Sequence, residues 1–397
     1  INISNNTVSN NNCCGIELQD GDASAVNITG NTINIGGGDN AIGLVGLNAT
    51  VGNNTVNNNT IIGGGRFGIE IKNPAGGVTV NGNSVTMSTY NADLRDRAGI
   101  AILRRGVGNS NVDVPNGVTI TGNTVDGYQQ TSNSEGFGIV VEGINHTVTG
   151  NTVNNSDVGI LQQQNPSNYP LDADQSNLSD QYFGRGNSPM TCGNTISGNT
   201  FSGNGTDTRN IGVGGGIVTN TTTLEVFCSI QSAIDDAQTL GGHTLSVGNG
   251  TYNERVTVNK SLKLQGQSEA GVILEGTGLS GTGSGITVNS GIANVTIEKM
   301  TIQNYTGSSP NGNAGIWLKG SNNGFKADQV TIKDNVNAAG IFAAGPVDGF
   351  TVTNSTVSNH GPGARGIVIW DGFKQNINIS HNTVSNNNCC GIALQDG

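Results

Sequence analysis

The feature that most constrains this chain is a short pattern that recurs along most of its length. An apolar-x-apolar stretch leads into Thr or Ser, then Gly or Asn, then Asn-Thr-Val, and a Gly-Ile-x-apolar stretch follows after a polar turn. Both stretches alternate apolar and polar residues with a period of two, which predicts short β-strands rather than helices. The Asn position of the pattern is occupied by Asn6, Asn31, Asn54, Asn83, Asn123, Asn151, Asn199 and Asn382.

The spacing of these copies predicts a solenoid. The first seven Asn positions are separated by 25, 23, 29, 40, 28 and 48 residues, and a strand-turn-strand unit near 25 residues matches one rung of a parallel β-helix. With 11% charged and 4% aromatic residues, the chain has little material for a wide core, but stacked rungs need only a narrow apolar stripe. We expect the eight Asn side chains to form a ladder at one corner, with amides bonded between rungs.

These repeats resemble the right-handed parallel β-helix family, particularly its Asn-rich NosD-like and pectate-lyase-like members. The resemblance covers nearly the whole chain and implies an all-β, right-handed parallel β-helix. The segment from Cys228 to Gly266 also resembles the N-terminal cap of such proteins, which implies a short capping helix near 230–238.

A duplicated segment indicates a tandem array. Residues 377–397 repeat residues 1–21 in all but two places, Asn5 against His381 and Glu17 against Ala393, which gives a period of 376 residues. Since a cap begins a solenoid, we expect residues 1–205 to be the C-terminal portion of one domain. Residues 206–223 would be a linker, and residues 224–397 the cap and first rungs of the next domain. A single duplicated coil within one domain is the alternative.

Charge and composition restrict the partners and the location. A net charge of −11 with dispersed Lys and Arg excludes nucleic acid as the expected partner, and no run of 18 apolar residues could span a membrane. Polar Asn/Thr surfaces and frequent Asn-x-Ser/Thr sequons favour an extracellular or cell-surface location. These sequons include those at Asn27, Asn53, Asn145, Asn204, Asn294 and Asn304.

The cysteines leave several pairings open. Cys13 and Cys14 are adjacent, as are their repeats Cys389 and Cys390, so each pair could form a vicinal disulfide, one buried and one surface thiol, or bridges to neighbouring material. A bond between Cys192 and Cys228 would link the last rung of one domain to the cap of the next.

Few residues are candidates for metal binding or catalysis. Asp172, Asp174, Ser176 and Asp180 have the spacing of calcium-loop oxygens without its Gly and Glu, so a structural Ca²⁺ competes with a solvated acidic loop; no other cofactor is expected. Two further groups are candidates for polysaccharide chemistry, against a structural role in each case. They are the charge cluster Asp93, Arg95, Asp96 and Arg97, and the pair His360 and Arg365 near Trp370.

The leading hypothesis is structural. We expect a repeat unit of an extracellular filament or long cell-surface protein that assembles with copies of itself, head to tail, by β-helix stacking. The alternative is a polysaccharide lyase or glycosidase, or an adhesin that binds surface glycans. Ice binding through flat Thr rows is a weaker third hypothesis, because outward positions mix Asn, Ser, Glu and Lys.

Overall fold

The computed structural model describes residues 1–19, 25–45, 51–72, 74–87, 96–103, 114–130, 135–163, 191–309 and 312–395. The chain forms two compact units, Ile1–Val213 and Gly214–Gly397. Both consist of short strands that stack in parallel from one rung to the next, and the predicted fold class is confirmed.

In the first unit the strands follow one another along each rung. In chain order they are β1 (Asn2–Ser4), β2 (Thr7–Ser9), β3 (Ile16–Gln19), β4 (Asn27–Thr29), β5 (Thr32–Val45), β6 (Val51–Gly52), β7 (Thr55–Asn57), β8 (Thr60–Lys72), β9 (Pro74–Gly76), β10 (Val78–Asn81), β11 (Ser84–Thr86), β12 (Arg97–Leu103), β13 (Val118–Thr121), β14 (Thr124–Asp126), β15 (Gly136–Val141), β16 (Thr147–Thr149), β17 (Thr152–Asn154), β18 (Val158–Gln163), β19 (Thr195–Ser197), β20 (Thr200–Ser202) and β21 (Thr206–Ile211).

These strands build three faces. The first face has the order β1-β4-β7-β10-β13-β16-β19, and each of its strands pairs in parallel with the next. The long strands β5 and β8 each contribute to both the second and the third face. The other strands of the second face are β2, β11, β14, β17 and β20. The other strands of the third face are β3, β12, β15, β18 and β21. Register keeps like residues together, as where Ile28 lies beside Val56.

The second unit starts with a cap and continues with the same kind of rung. Its elements are β22 (Val218–Asn220), β23 (Val226–Phe227), α1 (Ile230–Asp235), β24 (Thr244–Val247), β25 (Gly250–Tyr252), β26 (Val256–Val258), β27 (Lys263–Gly266), β28 (Val272–Glu275), β29 (Ile286–Val288), β30 (Thr296–Gln303), β31 (Ala314–Leu318), β32 (Lys326–Lys333), β33 (Ala339–Ala343), β34 (Val347–Asp348), β35 (Thr351–Thr353), β36 (Thr356–Ser358), β37 (Ile367–Trp370), β38 (Lys374–Gln375), β39 (Asn378–Ser380), β40 (Thr383–Ser385) and β41 (Ile392–Gln395).

The cap closes the first rung of this unit. Strand β22 pairs antiparallel with β23 and β24, whereas the strands that follow pair in parallel. Helix α1 places Ile230, Ala233 and Ile234 in the apolar core, and the Ser229 side chain accepts a hydrogen bond from the Ser232 amide at its N-terminus. The helix covers the apolar side chains of this first rung, and it shields a sheet edge that water would otherwise reach.

Each unit has a narrow core of stacked Val, Ile and Leu. Inward residues such as Ile33, Ile69, Ile100 and Ile139 are fully buried, as the alternation in the sequence predicts. The Gly-Ile strands of the first unit also carry a second apolar cluster on the other side of the third face, which includes Phe67, Leu103, Phe137 and Leu161.

The segment expected to be a linker, 206–223, contributes strands to both units. Strand β21 pairs with β18 over Thr206–Ile211 and so completes a rung of the first unit, although its side chains are mostly exposed. Strand β22 belongs to the cap of the second unit. Backbone pairing can hold a rung without the apolar alternation that marks rungs in the sequence, and the domain division at 206–223 stays a prediction.

Candidate functional site

The segment that occurs twice in the sequence forms a rung in both places, and the two copies have opposite neighbours. In the first copy, β1, β2 and β3 pair with β4 and β5, which follow them in the chain. In the second copy, β39, β40 and β41 pair with β35, β36 and β37, which precede them. The same sequence therefore accepts a parallel rung on either of its two edges.

Burial of equivalent residues differs between the copies. Ile16 pairs in register with Ile42 and is 8% exposed, whereas the equivalent Ile392 is 49% exposed. Leu18 packs partly buried against the core of its unit, whereas the equivalent Leu394 is 57% exposed. Because the two segments are otherwise nearly identical, the following rung is what removes these side chains from water.

A ladder of buried amides crosses the rungs of the first unit at one corner. The Oδ1 atom of each Asn accepts hydrogen bonds from both the backbone amide and the Nδ2 of the Asn one rung before it, at 2.9–3.0 Å. Each Nδ2 also donates to a backbone carbonyl, as Asn59 does to Ile28 at 3.0 Å. The members are Asn6, Asn31, Asn59, Asn83, Asn123, Asn151 and Asn199.

One expected member of this ladder is displaced. Asn54 lies at the preceding corner of its rung, where its Oδ1 accepts from the Val26 amide at 2.8 Å. Asn59 occupies the ladder position that was expected for Asn54. Ile28 pairs with Val56, and the corner that follows Val56 contains Asn59. Asn382 serves a corresponding corner of the second unit, where it accepts from the Ser355 amide at 2.9 Å.

Two histidines also accept hydrogen bonds from backbone amides inside the rungs, although the Asn pattern of the sequence includes neither of them. His146 stands in the column of Asn54, accepts from the Val118 amide at Nδ1 (3.0 Å) and lies 3.0 Å from the Glu142 carbonyl at Nε2. Burial lowers its pKa to about 4. Its position after a left-handed Asn and before a Thr, like that of the ladder residues, is the sequence signal that could have identified it.

His360 occupies the interior rather than a catalytic surface. It is 3% exposed, its Nδ1 accepts from the Asn335 amide at 3.4 Å, and burial lowers its pKa to about 4. The guanidinium of Arg365 lies 5.1 Å from the centre of the Trp370 ring, which stacks on Phe342. In the structure His360 is an interior hydrogen-bond acceptor, and its candidate role as a base stays a prediction.

Two residues of the charged cluster, Asp96 and Arg97, form hydrogen bonds with backbone groups. Asp96 accepts from the Glu135 amide at 2.7 Å, and Arg97 donates to the Gly65 carbonyl at 2.7 Å. Both side chains are buried, at 5% and 2% exposure. Asp93 and Arg95 lie outside the described residues, as do the calcium candidates Asp172, Asp174, Ser176 and Asp180.

Buried charge also occurs at residues that the sequence pattern does not single out. Lys72 and Glu70 form an ion pair of 2.8 Å on β8 with no exposure of either side chain. Glu142 accepts from the Gln163 side chain at 2.6 Å, and both are fully buried. Such pairs are costly to separate but are weak evidence for a catalytic role.

The cysteines occupy distinct settings. The Sγ atoms of Cys13 and Cys14 are bonded to each other, whereas those of Cys389 and Cys390 lie 2.8 Å apart as thiols. Cys13, Cys14 and Glu17 are the one grouping of three potential metal ligands within the described ranges, but bonded sulfurs offer no thiolate. Cys192 and Cys228 are each buried in their own unit, and the disulfide expected between them stays a prediction.

Comparisons with known proteins agree with the fold. Residues 252–397 match the family model described as a right handed beta helix region. A stretch of 53 residues is 45% identical to a cell surface glycoprotein of Methanothermus fervidus, and the match covers 13% of this chain and 9% of that protein. A pectin methylesterase from Yersinia enterocolitica aligns with 41% of this chain and 63% of its own, at 18% identity and a TM-score of 0.21.

The chain thus spans less than a tenth of the length of the curated relative that it matches. Within the described ranges, no helix is both long and apolar enough to cross a membrane.

Proposed function

We propose that this right-handed parallel β-helix is a structural repeat unit of a long cell-surface protein or extracellular filament, and that it assembles end to end by stacking of rungs. The observation that carries the proposal is the duplicated rung, which binds a following rung in its first copy and a preceding rung in its second. A rung flanked on both edges would join two periods into one continuous solenoid.

The exposed groups of the second copy of the duplicated rung favour binding of another rung. Strands β39, β40 and β41 present a backbone edge together with Ile392 and Leu394, a combination that promotes pairing with another strand. Burial of each of these side chains would contribute roughly 1.5–3 kcal/mol at full coverage. Because the contact joins two different surfaces head to tail, it would extend into an open fibre rather than close into a dimer.

The surface location is also a proposal. It is supported by the relative named as a cell surface glycoprotein and by the acidic, Asn- and Thr-rich composition. The polysaccharide-active alternative gains no support from Asp96, Arg97 or His360, since all three make contacts to backbone groups inside the rungs.

Hydrogen exchange on a two-period chain would test the proposal. Residues 22–397 are joined directly after residue 397, which keeps the register of the repeat, and the amides of Ile392–Gln395 are compared with those of Ile16–Gln19. We expect exchange at Ile392–Gln395 to slow at least tenfold and to approach the rate at Ile16–Gln19, because both copies would then carry a following rung.

The matched control is a chain in which residues 214–397 follow residue 397. It has the same kind of covalent extension but offers a cap in place of a rung, so exchange at Ile392–Gln395 should stay fast. Equal exchange rates in the two chains would contradict assembly by rung stacking.

A further inference from the structure

Several Asn-x-Thr sequons with a buried middle residue lie at solenoid corners with the same geometry, and in three of them the Asn Nδ2 donates no hydrogen bond to protein within the described ranges, unlike the Nδ2 of Asn145 and of Asn354. These three begin at Asn53, Asn58 and Asn294, whose φ values are 53°, 54° and 56°. In each case the middle residue is buried in the interior, and the Thr is the first residue of a strand, β7, β8 or β30. At each of these corners the first Asn is exposed to solvent.

The backbone does not require Asn at these corners. Glycine occupies the equivalent position one rung away from each, with φ of 68° at Gly77, 65° at Gly82 and 68° at Gly324. Glycine adopts this left-handed conformation without the steric penalty that a side chain brings. These corners therefore accept Gly or Asn, and Asn followed two residues later by Thr forms an N-glycosylation sequon.

The acceptor side chains are open to a modifying enzyme. All three are exposed, and within the described ranges their Nδ2 atoms donate no hydrogen bond to protein. The Oδ1 atom of each leans over the glycine of the next rung, where an added Cβ would collide with it.

Other sequons in the chain differ in this respect. The Nδ2 of Asn204 donates to the Val153 carbonyl at 2.9 Å, and its Oδ1 accepts from the Ser156 amide. Asn220 is fully buried, and its Nδ2 donates to the Thr239 hydroxyl at 2.8 Å. Reaction at either nitrogen would first require an existing hydrogen bond of the folded unit to open.

We propose that Asn53, Asn58 and Asn294 are N-glycosylation sites and that Asn204 and Asn220 are not. The donor is an oligosaccharide activated as a lipid-linked pyrophosphate. The amide Nδ2 attacks the anomeric carbon, the new C–N bond forms as the C–O bond to pyrophosphate breaks, and the amide proton leaves to a base of the transferase. The lipid pyrophosphate departs as the leaving group.

Peptide mass spectrometry of the protein purified from its own cells tests this assignment. We expect the peptides with Asn53, Asn58 and Asn294 to carry added sugar mass, and those with Asn204 and Asn220 to be unmodified. Unmodified peptides at the three proposed sites, or a glycan on Asn204 or Asn220, would overturn the proposal.

Two variants at one corner separate glycosylation from other additions of mass. Thr60→Ser keeps the sequon of Asn58 and should keep its glycopeptide, whereas Thr60→Val removes the sequon, leaves Asn58 in place and should abolish that glycopeptide entirely. Asn58→Gly provides a second loss variant whose backbone conformation is already present at Gly30 and Gly82. Retention of the sugar mass in Thr60→Val would contradict the assignment.

Discussion

At the scale of single residues, the interior amides are the polar groups on which the rungs depend most. Asn59 is 1% exposed, and both its oxygen and its nitrogen are bonded to neighbouring rungs. We expect Asn59→Ala to lower the free energy of unfolding by about 1–3 kcal/mol, because it leaves the buried amide groups of Asn31 without their acceptor. Denaturant unfolding measures the change. Asn58→Gly, at the exposed corner beside it, is the matched control and should change stability by less than about 0.5 kcal/mol; equal losses would contradict this account.

The buried histidine gives the stability of the first unit a dependence on pH. Burial lowers the pKa of His146 from 6.5 to about 4, so between these values the unfolded chain binds a proton that the folded chain does not. The contribution of neutral His146 is complete above pH 6.5 and is lost as pH falls toward 4. At pH 5 the loss amounts to roughly 2 kcal/mol.

Unfolding of wild type and His146→Asn at pH 7 and pH 5 measures this effect. Asn occupies the same column at Asn54 and Asn194, so the substitution keeps an acceptor in place. The variant should lose less stability than wild type when the pH is lowered, and identical losses would rule out His146 as the cause. Comparison of the two chains cancels the contribution of carboxyl groups such as Asp157, whose pKa is raised by burial.

The sequence predicted that Asn residues form the ladder, but in one rung it did not predict correctly which Asn is the member. The rung from Asn53 to Ile61 contains two successive Asn-Asn-Thr corners, and local pattern alone does not say which one stacks on Asn31. The choice is made by strand pairing between rungs, which places Val56 beside Ile28. His146 and His360 were missed as corner hydrogen-bond acceptors because an imidazole replaces the amide that defines the pattern.

At the scale of elements, one carboxylate binds the N-terminus of the capping helix. Glu254 accepts from the amides of Ile230 and Gln231 at 2.8 and 2.9 Å, at the N-terminus of α1. We expect Glu254→Ala to destabilise the second unit by about 2–3 kcal/mol, since hydrogen bonds to a charged acceptor are stronger than neutral ones. Thermal or denaturant unfolding checks this, with Asp235→Ala on the exposed side of the same helix as a near-neutral control. A wild-type stability for Glu254→Ala would show that the cap does not depend on this contact.

The position of the capping helix could be read from the sequence, but its end could not. The resemblance placed it at 230–238, whereas α1 ends at Asp235. The Asp236 backbone leaves the helical conformation, with ψ at 138°, and its carboxylate accepts from the amides of Gln238 and Thr239, both at 2.9 Å. An Asp side chain that bonds to amides two and three residues later competes with continuation of a helix, and this choice depends on local geometry.

At the scale of the whole molecule, the duplicated rung predicts how isolated chains behave in solution. The double substitution Ile392→Asp and Leu394→Asp places two charges on the edge proposed to bind another copy. Sedimentation velocity should show self-association weakened at least about tenfold relative to wild type, since a loss of 1.4 kcal/mol already has that effect. Ile62→Asp removes an exposed apolar side chain on β8, a strand that already pairs with β5 and β11 on its two edges, and should leave association unchanged. An unchanged association of the double variant would contradict head-to-tail packing.

Fold class could be predicted at this scale because every rung repeats the same local signals, so errors in one copy do not alter the architecture. The candidate enzymatic residues could not be evaluated in the same way. Asp96, Arg97 and His360 have side chains of the right chemical type, but stacking of rungs turns them toward buried backbone groups. Which side a charged residue faces depends on rung register, and the composition of a loop does not reveal it.

The direct pairing of each rung with only the one before and the one after has a mechanical consequence. Tension applied along the stacking direction loads the bonds of one rung at a time, so a unit should yield by peeling from an edge rather than by breaking at once. A rung of 25 residues, the spacing from Asn6 to Asn31, would release about 85 Å of extended chain as it detaches. Each such step dissipates work and leaves the remaining rungs paired, so a stretched surface layer built this way would lengthen gradually and could recover by rewinding onto the rungs that remain.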